Sequence, residues 1–157
     1  RAMVVDRRAR DLAAQLLRDF ISGKVTNFDF EERCPETHDR AIHAVWDTAW
    51  LLYDDFKTHK LTGRHRLDVT TRRQTIRWIV FLHGDLDYRW PHLPQPGADP
   101  NIRVEQSVLR RIFAPFGLKR VEVDEFLKSG HYPVWPFASV KDYKAAIARP
   151  RLLSRAA

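Results

Sequence analysis

His83, Asp85 and Asp87 stand within five positions of one another in the stretch RWIVFLHGDLDYRWP, residues 77–91, and Tyr88 and Trp90 follow them. An imidazole beside two carboxylates is the donor set of a divalent-metal site or of acid–base catalysis. On an unbroken helix His83 and Asp87 are four residues apart and face one ion, while Asp85 points elsewhere. The structural alternative continues the apolar face of Ile76, Ile79 and Val80 through His83, Leu86 and Trp90. It pairs Asp85 with Arg89 across one turn and ends the helix at Pro91. The structural alternative is preferred, and His83, Asp85, Asp87, Tyr88 and Trp90 are kept as binding candidates with the metal unspecified.

Three further groups carry chemistry. Asp39, His43 and Asp47 fall at i, i+4 and i+8, so a helix puts two carboxylates on either side of one imidazole. Such a stripe binds a divalent ion or is a solvated face, and the solvated face is expected. KTHKLTGRHRLDVTTRR, residues 57–73, holds six Lys or Arg, two His and one acid. Lys57, Lys60, Arg64 and Arg66 there could grip phosphates next to a helix start. The segment lacks the interleaved aromatics of a single-strand binder. HYPVWPF, residues 131–137, reads as an extended aromatic strap closing over the helices, with an exposed docking surface as the alternative. Cys34, the single cysteine, has acidic neighbours that argue against a reactive thiolate.

The elements that must position these groups are helices. Leu12, Ala13, Leu16, Leu17, Phe20 and Ile21 recur at helical spacing behind Asp6 as N-cap. Thr26, with Asp29 three residues on, starts a short helix that Pro35 stops. The strongest periodicity, Ile42 through Phe56, predicts a long helix over residues 37–58. A fourth helix starts near Asp68, Thr70 or Thr71. Only Arg77 is polar between Ile76 and Leu82, which places that helix in the middle of a bundle. WPHLPQPGADP, residues 90–100, is an extended connection. Beyond it, Val104–Phe113, the stretch around VEVDEFLK and Ser139–Ala148 predict three more helices, the last ended by Pro150. The expectation is an all-α fold: a compact bundle of about four helices over residues 4–91, with a proline-punctuated extension over 92–157 packing on it.

The 157 residues and 44% apolar content suit one ordered globular domain. No run of about 18 apolar residues predicts a membrane span, and no secretory signal is read at the N-terminus. A reducing cytoplasm is the expected compartment. Basic residues outnumber acidic ones seven to six over 1–33, nine to eight over 34–91 and eleven to six over 92–157. The net charge of +7 therefore sits mainly in the last third, a mild attraction for acidic partners.

HGDL at residues 83–86 resembles the start of the catalytic loop of aminoglycoside-phosphotransferase-like kinases. Trp90 stands where that loop has its metal-binding asparagine, and no Gly-rich loop or paired lysine appears, so the kinase reading is set aside. FISGKVTNFDFEER, residues 20–33, resembles the helix–turn–helix of the short C-terminal (SHOCT) domain. GKVTNFDFE, LYDDFKTHKLTG and RWIVFLHGDLDYRWP together resemble a group of small bacterial proteins of unknown function, from which Gly84 and Arg89 depart. That resemblance implies a bacterial source and a helical domain; it implies no activity.

With no nucleophile–base pair or cofactor fingerprint, and with abundant Trp and Tyr, the leading expectation is a non-enzymatic protein–protein interaction module without a cofactor. It would neutralise or regulate one cognate partner protein. A nucleic-acid or phosphate-binding protein using residues 57–73 and the basic last third is the first alternative, and a metal-dependent hydrolase using His83, Asp85 and Asp87, with His43 and Asp47 as further candidates, is the second. Oligomeric state is left open.

Overall fold

Helix starts follow the capping residues. A computed structural model describes residues 5–98 and 120–149. In it Asp6 accepts the Ala9 N–H to open α1, Arg7–Ile21. Thr26 and Asp29 form a reciprocal capping box that opens α2, Asn27–Glu32. Asp39 accepts the Ala41 N–H to open α3, Arg40–Ala49, and Asp68 accepts the Thr71 N–H to open α4, Val69–His83. The C-terminal part holds α5, Arg120–Lys128, and α6, Val140–Ala148, the latter capped by Ser139. The described residues are all-α, with six helices and no strand. No helix among them is long and apolar enough to cross a membrane. The helix expected over 104–113 and Pro150 lie outside the described residues.

α1 packs along α4, its most extensive neighbour, and α2 and α3 lie against α1. Ala9, Ala13 and Ala14 line the buried side of α1, where small side chains let backbones come close. The buried stripe is thereby turned, and Leu12 is exposed rather than on the core face. Phe20, Phe30 and Trp46 stack in series, each neighbouring pair 4.4 Å between ring centres. A second aromatic cluster joins the end of α4 to the C-terminal part. Trp90 lies 4.8 Å from Phe126, Trp135 is 5.7 Å from Trp78, and Phe137 is 5.1 Å from Phe81.

Three elements differ from expectation, one of them α4, which ends at His83 rather than at Pro91. The helix predicted over 37–58 stops at Ala49, followed by a single 3₁₀ turn at Trp50–Leu52. The buried Asn27 side chain accounts for the non-helical path of the residues that follow. It donates to the carbonyls of Asp54 and Lys57 at 2.8 and 3.0 Å and accepts the His59 N–H at 2.9 Å. Those bonds hold residues 54–59 in a loop, and Trp50, Leu51 and Phe56 are exposed. The strap at 131–137 is also not fully extended. It makes a 3₁₀ turn at Tyr132–Val134 and has a cis Trp135–Pro136 bond. Its Val134, Trp135 and Phe137 are buried. Arg77, the one polar residue of its apolar run, holds the strap by donating to the Trp135 carbonyl at 2.7 Å.

Candidate functional site

A helix that ends inside a protein leaves carbonyl groups to be satisfied, and cations near its C-terminus do so favourably. α4 ends at His83, earlier than an unbroken helix to Pro91 would. Two arginines of α1 take carbonyls at its end and just beyond. Arg10 donates to the carbonyls of Gly84 and Leu86 at 3.0 and 2.8 Å. Arg7 donates to the carbonyls of Gly84, at 2.6 Å, and Leu82, and to the Asp85 carboxylate at 2.9 Å. Because residues 85–90 are not helical, the i, i+4 geometry expected for His83 with Asp87 and for Asp85 with Arg89 is absent.

Arg10 is itself 1% exposed. Its guanidinium meets both oxygens of the buried Asp39 carboxylate, at 2.7 and 3.2 Å, and lies 5.3 Å from the Phe81 ring centre. Asp39 also accepts the N–H groups of Asp6 and Ala41. This four-way use removes Asp39 from any solvated or metal-binding stripe. The other two members of that stripe are engaged elsewhere. His43 Nε2 donates to the Thr37 carbonyl at 2.7 Å, and Asp47 accepts the Gln95 N–H.

Of the residues singled out after His83, Asp85 and Asp87 are exposed, whereas Tyr88 and Trp90 are core. The Tyr88 oxygen accepts the Trp135 indole N–H at 3.1 Å, and burial pushes the phenol well above its usual range. Trp90 donates its indole N–H to the Pro136 carbonyl at 3.0 Å. His83 lines a groove between α1, α4 and α6. Among the described residues no group of three or more His, Cys, Asp or Glu is placed to hold an ion. The Cys34 thiol is pushed up by burial rather than by its acidic neighbours.

The basic loop is ordered from within. Leu61 is buried, and the His59 and His65 rings stack 4.0 Å apart. Partial burial, then the neighbouring His59, holds the His65 imidazole below its usual value. Gly23, at φ +75°, closes α1 against this loop. A Cβ there would come within 2.4 Å of the Thr62 methyl. Lys57, Lys60, Arg64 and Arg66 are all exposed.

Sequence reasoning missed Arg10. The signal was present: Arg10 occupies the same helical stripe as Ala13, Ala14 and Leu17, where a cation must be buried with a partner. It also missed the exposure of Trp50 and Phe56, because periodicity cannot register what Asn27 does from another helix. Compared with known protein families, with curated proteins and with solved structures, the chain matches none, so its site is read from geometry.

Proposed function

We propose that the protein is a non-enzymatic module that docks another protein through the surface formed by Trp50, Leu51 and Phe56. The observation that carries this is their exposure, 50%, 53% and 90%. Large apolar side chains left in solvent mark interaction surfaces, and Trp is enriched among binding hot spots. Asp54, Asp55 and Lys57 are also exposed in this stretch, so polar side chains accompany the apolar ones, as at protein interfaces. The Asn27 bonds fix the turn beforehand, which lowers the ordering cost of binding. Quantitative capture by the native protein and by a Trp50→Ser/Leu51→Ser/Phe56→Ser variant tests the reading. One stoichiometric protein should be retained by the native chain and lost by a variant of unchanged helicity. Equal retention by both removes this surface from consideration.

A second reading has its own support. Lys57, Lys60, Arg64 and Arg66 project into solvent from one loop, which suits a polyanion such as nucleic acid. Titration with duplex and single-stranded DNA or RNA at two salt concentrations separates the two readings. Binding through the loop weakens with salt, and a flat response excludes it.

A further inference from the structure

We infer that the groove between α1, α4 and α6 is a docking site for an acidic, amphipathic helical segment of a partner protein. It has a volume of about 550 Å³. Its floor is apolar: Ile76 is 44% exposed there, beside Ile79 and the half-buried Val80. Its rim is cationic, with Arg18 and Lys24 from the α1 side, Arg72 on α4 and Arg149 after α6, all exposed. Asp19 is the one carboxylate among the described lining residues. It is already engaged by Gln15 at 3.0 Å and Lys24 at 3.7 Å.

Charge and shape select the occupant. An apolar floor under a positive rim complements a ligand with a greasy stripe and negative edges. The lining runs along α4 from Arg72 to His83. At the helical rise that is about 16 Å, the length of three turns of a partner helix. A helix carrying Leu or Ile at i, i+3 or i+4 and i+7, flanked by Glu, lays its stripe on Ile76 and Val80 and its acids against the arginines. A bare polyanion uses the rim and leaves the floor unused. This site involves neither Trp50 nor Phe56, so the two proposals stand or fall separately.

The test is fluorescence anisotropy with labelled synthetic peptides of about four turns: a Glu-flanked Leu stripe, the same composition scrambled, and a Lys-flanked stripe. A single-stranded DNA of equal charge is the fourth probe. The Glu-flanked stripe should bind best. Ile76→Glu and Arg18→Glu/Arg149→Glu should each weaken it about tenfold or more. These positions are exposed, and an unchanged melting temperature confirms that the variants fold. The proposal is overturned by equal binding of the scrambled or Lys-flanked peptide. It is overturned too by tighter DNA binding that ignores Ile76→Glu, or by no peptide binding at about 1 mM. A dimer that Ile76→Glu dissolves would mean that a second copy covers the groove, and would equally overturn it.

Discussion

Arg10 and Asp39 form an ion pair 2.7 Å apart with side chains 1% and 3% exposed. Losing one partner strands the other charge, which costs about 3–5 kcal/mol. Arg10→Ala and Asp39→Ala should each lose that much stability in urea titrations. Arg10→Met/Asp39→Leu should lose much less than the sum of the two, because no buried charge remains.

Asn27 should matter beyond its size. Asn27→Ala leaves two carbonyls and one N–H of residues 54–59 without their partner. The expected loss is about 1–3 kcal/mol. Amide exchange at His59 should accelerate, and capture through Trp50, Leu51 and Phe56 should weaken although those residues are intact.

Trp90→Ala should cost about 3–5 kcal/mol, as expected for a fully buried tryptophan. Because Trp90 touches Phe126 and Tyr132, limited proteolysis should then cut first within residues 120–149.

Stability should fall with acid in two stages. His65 has a folded pKa below its ordinary 6.5, so its contribution is full above that value and is lost as pH falls through the folded pKa. Asp6, Asp29 and Asp68 are held below 3.8, chiefly by the backbone N–H groups they accept as caps. Their contribution is present above 3.8 and disappears at lower pH. Melting temperatures across the acid range check this. His65→Asn should flatten the first stage, and Asp68→Ala should reduce the second.

Gly97→Ala should destabilise by overpacking. A Cβ there would lie 2.6 Å from the Trp135 ring and 2.7 Å from the Thr48 methyl. The expected cost is about 1–3 kcal/mol, read as a lower urea midpoint at unchanged slope.

The all-α class, and the starts at Asp6, Thr26, Asp68 and Ser139, were legible because caps and periodicity are local signals. What stayed hidden was set by distant partners. Asn27 acts on residues more than two dozen positions away, and so holds 54–59 in a loop where the helical pattern continues. Arg7 and Arg10 likewise reach the end of α4 from the start of the chain. By its own spacing, the polar cluster after Leu82 is a candidate for chemistry. Its Asp85 and its backbone carbonyls are instead held by arginines that spacing within the cluster could not reveal.

The two arginines of α1 have a mechanical effect as well. A slip of one turn along α4, about 5.4 Å, would pull both guanidinium groups off their carbonyls. Shear between these two helices is thus disfavoured, and hinging at loops is the softer response to load. The α1 and α4 walls of the groove are therefore held in one register, and any adjustment on docking falls to the α6 wall or to the ligand.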